Sequence, residues 1–146
     1  MEIFSFDFDG TLCCFDQQNN SLMIKNDEMC NLLKKLKKQG KKVIITSFRD
    51  PIKENHTYQK TALKPRFLIQ DFLEKFNINV DSVVLTNHTS KLPFLINNFV
   101  DVHYDDDVAV IAELISSNIK GILVTPKIIK KWLVYALFVV LNCKGH

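Results

Sequence analysis

The 146-residue sequence is short of several features that would narrow its class at once. Its four cysteines, Cys13, Cys14, Cys30 and Cys143, form no CxxC pair and have no histidine at zinc-ligand spacing, so a zinc module and a dithiol redox centre are both excluded. No secretory segment places them in an oxidising compartment, and they are expected as reduced thiols in a cytoplasmic protein. No apolar run approaches the ~20 residues of a spanning helix. The longest candidate is WLVYALFVVL, Trp132 to Leu141, with Lys130 and Lys131 before it and Asn142 after it. A helix there either packs on the domain or serves as a homodimer interface, and no membrane partner is expected. The net charge is only +3, too small to argue for nucleic acid by itself. Internal repeats, low-complexity tracts and linkers are absent as well.

What is present belongs to a folded protein. Apolar residues make up 47% and charged ones 24%, enough for one core and too short a chain for two ordinary domains. Strand-like and helix-like segments take turns. Glu2 to Phe8 reads as a strand, Asp27 to Gln39 as a helix closed by Gly40, and Lys42 to Thr46 as a buried β-branched strand. A polar loop follows, then a helix over Pro65 to Asn77, with proline where its missing N–H costs least. Strands are expected at Asp81 to Thr86, Asp101 to Asp105 and Gly121 to Thr125. Helices are expected at Leu92 to Phe99, Val108 to Ser117 and from Lys127 onward. This alternation predicts an α/β domain over residues 1–125, a five-stranded parallel sheet with helices on both faces, and residues 126–146 as the apolar terminal helix.

In such sheets the working residues gather at the carboxyl ends of the strands. There the first strand ends in Asp7-Phe8-Asp9, the second in Thr46-Ser47 and the fourth in Asp105-Asp106-Asp107. Like charges converging on one edge need a cation, and a hard divalent ion with oxygen ligands, Mg²⁺, is the natural one. Alternation along a strand puts Asp7 and Asp9 on one side with Phe8 on the other, so the two carboxylates can divide the work of attack and proton handling. Gly10 lets the chain turn tightly and bring N–H groups near an anion, and Thr11 fixes that turn or orients Asp9. Asp107 reads as a helix cap.

DFDGTL at the first strand end, KVIITS at the second, Lys91 before a helix and HYDDD at the fourth resemble the four ordered motifs of the haloacid dehalogenase superfamily of phosphohydrolases. The resemblance runs from residue 3 to about 125. It implies Asp7 as the nucleophile of an aspartyl-phosphate intermediate and Asp9 as the general acid and base. It implies Thr46, with Ser47 as its neighbour and rival, as the hydroxyl on the transferring phosphoryl group. Lys91, with Lys60 and Lys64 as rivals, would hold the charge of nucleophile and phosphate. Mg²⁺ would be secured by Asp105 and Asp106 with Asp7 and the carbonyl of Asp9.

The intervals Leu12 to Val43 and Thr86 to Asp101 leave no room for an inserted cap domain, so an open crevice and large substrates are expected. The stretch from Ile45 to Leu73, with Arg49 and Asp50 past the second motif, is similar in layout to the phosphatase domain of polynucleotide kinase/3′-phosphatases. Arg49 lies one position later than that pattern, and no kinase P-loop GxxxxGK[ST] occurs. Arg49 is either a phosphate clamp or a surface residue paired with Asp50. The lysine-rich stretch Leu32 to Lys42 reads as the wet face of an amphipathic helix, without aromatics for base stacking. His103 reads as a packed strand histidine next to the acidic pair, His56 and His88 as loop residues and His146 as terminal. The expected function is a Mg²⁺-dependent phosphomonoesterase, with polynucleotide 3′-phosphate ends as one substrate class. A small nucleotide or sugar phosphate, or a binding module that has lost turnover, are the alternatives.

Overall fold

A computed structural model describes residues 1–14 and 23–125. The expected terminal helix from Lys127, and with it the proposed dimer interface, lies outside the described residues, as does Cys143. In chain order the elements are β1 (Ile3–Phe6), α1 (Asp27–Lys38), β2 (Lys42–Ser47), α2 (His56–Thr61), α3 (Ile69–Lys75), β3 (Ser82–Leu85), α4 (Leu92–Asn97), β4 (Val102–Asp105), α5 (Val108–Leu114) and β5 (Lys120–Leu123). The five strands form one sheet in the order β3-β2-β1-β4-β5, and every pair is parallel.

The central position of β1 follows from its composition. Phe4, Phe6 and Phe8 alternate with Ser5 and Asp7, and the phenylalanines enter a core cluster with Met29, Cys30, Leu33 and Leu36 of α1 and Ile69, Phe72 and Leu73 of α3. Each such side chain, once buried, stabilises the fold by roughly 1.5–3 kcal/mol. The other face buries Ile44 of β2 against Leu95 of α4 and Leu114 of α5. Helices therefore cover both faces, as a parallel sheet requires. The order reverses at β1, since β2 and β3 lie to one side and β4 and β5 to the other. The crevice at the carboxyl ends of β1 and β4 is thus a topological switch point.

Local signals account for most boundaries. Asn26 caps α1 by accepting from Met29 N at 3.3 Å, with Asp27 and Glu28 in the first turn and Lys35, Lys37 and Lys38 in the last. Asp107 caps α5 by accepting from Ala109 N at 2.9 Å. Two differences from the sequence reading lie between β2 and β3. The polar loop holds a short helix, α2, whose residues are largely exposed and so show no apolar period; its cap Asn55 accepts from Thr57 N at 2.8 Å and Tyr58 N at 3.2 Å. The helix expected from Pro65 begins at Ile69 instead. Tertiary bonds hold the preceding residues extended, with Arg66 N donating to Gln59 Oε1 at 2.6 Å and Ile69 N to Glu54 Oε2 at 2.7 Å. No helix among the described residues is long and apolar enough to cross a membrane.

Candidate active site

The site forms where the chain leaves β1. Asp7 extends the pairing with β4, its N–H donating to Tyr104 O at 2.9 Å, and the chain then winds into a turn on Phe8 O, which accepts from the N–H groups of Thr11, Leu12 and Cys13. Phe8 anchors this turn by packing edge-on against Phe72, ring centroids 4.9 Å apart. Gly10 is required twice over. Its φ is +87°, and a Cβ there would stand 2.2 Å from Asp106 Oδ2. The acidic loop after β4 can approach only because residue 10 has no side chain.

Asp7, Asp105 and Asp106 offer carboxylate oxygens that lie within 4.8 Å of one another. Lys91 reaches this group from the start of α4. Its Nζ donates to Asp7 Oδ1 and to Asp105 Oδ2, each at 2.7 Å, and the residue is almost fully buried. The loop before it, Thr86 to Ser90, is locked by reciprocal hydroxyl-to-carbonyl bonds between Thr86 and Thr89 and by Asn87 N and His88 N donating to Arg49 O and Phe48 O. Lys60 and Lys64, the rivals expected from sequence, are exposed. Thr11 Oγ1 lies 3.2 Å from Asp7 Oδ2 and 3.3 Å from Asp106 Oδ1, so it bridges these two acids and makes no bond to Asp9.

The electrostatics follow from burial and partners. Burial pushes the Asp7 carboxyl well above the usual carboxylate range; Lys91 pulls the other way, while Asp105 and Asp106 add to the rise. Burial also raises Asp106. At Asp105 burial is outweighed by the bonds from His103 and Lys91, and its carboxyl sits below the ordinary value. Burial works against the charge of Lys91, and Asp7 and Asp105 more than restore it. The Cys13 thiol beside the turn is pushed by burial up to about 12, so it is no nucleophile at neutral pH.

Behind Asp105 runs a buried chain of bonds. His103 Nε2 lies 2.8 Å from Asp105 Oδ2, His103 Nδ1 lies 2.9 Å from Ser5 Oγ, and Ser5 Oγ lies 2.8 Å from Thr46 Oγ1. Burial lowers the His103 pKa, so the ring is neutral. With Nε2–H donating to the carboxylate, Nδ1 accepts from Ser5 and Ser5 accepts from Thr46. The proton of the Thr46 hydroxyl is thereby committed inside the sheet. Ser47, one residue on, accepts from Arg49 N at 3.2 Å and keeps its own proton.

Asp9 stands apart from the three clustered acids. Arg49 binds both of its oxygens, Nε to Oδ2 and Nη2 to Oδ1, each at 2.9 Å. The sequence reading offered Arg49 as a phosphate clamp or as a surface partner of Asp50. It is no surface residue: it is 7% exposed, its guanidinium lies over the rings of Phe8 and Phe67, and Nη1 donates to Glu54 Oε1 and Phe67 O. Burial opposes its charge and the two carboxylates outweigh that, so it stays protonated at all accessible pH. Sequence reasoning also missed Arg66, whose Nη2 donates to Asp9 Oδ1 at 3.1 Å. No motif marks it; the visible signal was a cation in a polar loop. His56, beyond the site, pairs with Asp71, and His88 sits in the loop before Lys91.

No family model matches the chain, and none of the curated proteins does. Solved structures do. Two structures of a Pnkp1/Rnl/Hen1 complex, one described as an RNA repair complex, match 85% of the chain at 22% identity and a TM-score of 0.63. The chain spans 42% and 46% of the length of the proteins it matches there. A D,D-heptose 1.7-bisphosphate phosphatase from B. bronchiseptica, complexed with magnesium and phosphate, matches 84% of this chain and 80% of its own at 13% identity and a TM-score of 0.60. At these identities the likeness concerns the backbone: the chain has the Rossmann-like α/β fold of the haloacid dehalogenase type, the fold that its four sequence motifs resemble.

Proposed function

We propose that the chain is a Mg²⁺-dependent phosphomonoesterase that works through Asp7 and acts on phosphorylated nucleic-acid ends. The observation that carries this reading is the group of buried Asp7 and Asp105 with half-buried Asp106, with oxygens within 4.8 Å of one another and a single lysine on two of them. Three carboxylates against one Lys91 leave negative charge that a hard cation neutralises, and an all-oxygen donor set fits Mg²⁺. Asp7, Asp105 and Asp106 would hold the ion, with the carbonyl of Asp9 completing the protein's share. Bound there, it supplies the positive charge that lets a carboxylate meet a phosphate dianion.

The chain's own residues account for the rest. An oxygen of Asp7 attacks phosphorus while the bond from phosphorus to the ester oxygen breaks, and the leaving oxygen takes the proton of the Asp9 carboxyl. Asp9 then accepts a proton from water as the water oxygen attacks phosphorus, which releases inorganic phosphate and restores the Asp7 carboxylate. Lys91 balances charge on Asp7 throughout. The Ser47 hydroxyl, with its free proton, is the donor we assign to the phosphoryl oxygens, since the Thr46 hydroxyl is paired with Ser5 inside the sheet. Arg49 holds Asp9 in place.

The substrate class draws support from two sources. The interval between β3 and β4 contains only α4, so nothing there covers the crevice, and two of the fold neighbours come from a Pnkp1/Rnl/Hen1 complex, one of them described as an RNA repair complex. The test is hydrolysis of p-nitrophenyl phosphate with Mg²⁺ and with EDTA, in the wild type and in Asp7→Asn, followed by phosphate release from 3′-phosphorylated oligonucleotides, 5′-phosphorylated ones and mononucleotides. Metal-dependent turnover that Asp7→Asn abolishes is expected, with 3′-phosphorylated oligonucleotides preferred. Mononucleotides hydrolysed as fast would overturn the polynucleotide assignment, and a fully active Asp7→Asn would overturn the mechanism.

A further inference from the structure

The two arginines on Asp9 are not equivalent. Arg49 already satisfies both oxygens of that carboxylate, and its Nη1 donors are taken by Glu54 and the Phe67 carbonyl. Arg66 adds a third bond to an oxygen that has a partner, and it does so from the rim, 47% exposed in its side chain. An ion pair so placed contributes little to stability. Among the described residues its guanidinium has no other partner, which leaves most of a rigid fork of donors beside the general acid and open to the crevice.

The segment that carries Arg66 has matching chemistry. Gln59 staples it, with Nε2 donating to Lys53 O at 2.8 Å and Oε1 accepting from Arg66 N at 2.6 Å. Residues 51–66 bring Lys53, Lys60, Lys64 and Arg66, all exposed. Their one carboxylate, Glu54, is turned inward to Arg49 and to Ile69 N. The stretch itself thus carries four exposed cations and no outward-facing acid, with Asp50 and Asp71, the latter on His56, as the nearest carboxylates in sequence. Nothing about removing a single phosphate calls for it.

We propose that Arg66 is the specificity-determining residue: it leaves Asp9 to grip a second phosphate group of the substrate, one linked to the scissile monoester as the neighbouring phosphodiester of a nucleic-acid end is. This rests on the phosphatase reading and adds the group by which substrates are told apart. Arg49 stays on Asp9 while Arg66 moves, so recognition leaves the general acid in position.

The experiment compares Arg66→Gln and Arg66→Lys with the wild type on p-nitrophenyl phosphate, a nucleoside 3′,5′-bisphosphate and a 3′-phosphorylated hexanucleotide. For Arg66→Gln, kcat/KM is expected to fall about tenfold further on the hexanucleotide than on p-nitrophenyl phosphate, mainly through KM, with Arg66→Lys intermediate. The salt dependence of hexanucleotide binding should lose about one unit of slope. An equal fall on the bisphosphate upholds recognition of a second phosphate and makes a small molecule a sufficient source. Equal losses on all three substrates, or none on any, overturn the proposal. Fluorescence anisotropy of the labelled hexanucleotide with Asp7→Asn and with Asp7→Asn/Arg66→Gln reads binding without turnover. At least fivefold weaker binding in the double variant is expected, and binding that is equal, or undetectable in both, overturns it. If the wild type hydrolyses no monoester while this difference persists, the phosphatase reading fails and the role of Arg66 stands.

Discussion

Arg49 holds both carboxylate oxygens of Asp9 in a side-on fork, with two bonds of 2.9 Å, from a position sealed between Phe8 and Phe67. The pair joins the end of β2 to the turn after β1 and fixes Asp9, the proposed general acid, from behind. Among the described residues, Arg49→Met leaves Asp9 with only Arg66 and Glu54 with only the N–H of Ile69, and the loss should be about 3 kcal/mol in urea unfolding. Adding Glu54→Gln should recover part of it, because one of the stranded charges is then gone. Losses that simply add would show that the three groups do not act as a unit.

Asp7 makes the opposite prediction for stability. Its carboxyl is raised by burial, so the folded state favours the protonated form. The stabilisation tied to that proton is complete below the ordinary carboxylate pKa and is lost as pH rises through the raised one. Asp7→Asn in EDTA should therefore be more stable than the wild type at pH 7, and the gap should close toward pH 3. Turnover should fall roughly 10³-fold or more. Thermal unfolding across pH in EDTA checks the sign.

Magnesium should reverse that ranking. At a hundred times its dissociation constant a ligand that binds only the folded state adds about 2.7 kcal/mol. The wild type should gain this and Asp7→Asn should gain much less, as read by melting temperature against Mg²⁺ concentration.

Lys91→Met removes the one cation on Asp7 and Asp105. Without metal the variant should lose about 3–5 kcal/mol, since two buried carboxylates then face each other. Mg²⁺ should stabilise it by more than it stabilises the wild type, even though turnover is lost. A smaller magnesium response than in the wild type would show that Lys91 helps to build the ion site and does not compete with it.

Gly10→Ala tests the closeness of the two loops. The left-handed φ alone costs about 1–2 kcal/mol, and the new methyl must displace Asp106. The expected outcome is a folded protein whose melting temperature no longer responds to Mg²⁺.

Much of this was readable in advance because it rests on period and punctuation. The phenylalanines alternating with Ser5 and Asp7 mark β1, and the acids at the ends of the first and fourth strands mark the crevice. Lys91 separates from Lys60 and Lys64 only in three dimensions, since burial on two carboxylates is a tertiary fact. The same holds for Thr46 and Ser47: one residue of register decides which hydroxyl is tied into the sheet through Ser5, and strand ends are where register is hardest to read. The pairing of Arg49 with Asp9 was not legible because the two lie 40 residues apart, and the rings of Phe8 and Phe67 that bury it come from two loops. Arg66 and α2 were missed because an exposed helix and a rim cation carry no periodic signal.

The central place of β1 also sets when the protein becomes competent during synthesis. Ser5 and His103 are 98 residues apart, yet they touch, and the acidic group needs both of their strands side by side. A nascent chain that has not yet emerged through β4 carries Asp7 without Asp105 and Asp106, and none of their geometry. The magnesium proposed for this group could therefore reward only a chain in which β4 has paired with β1, and protease resistance conferred by the ion would serve as a clock for that long-range closure of the sheet.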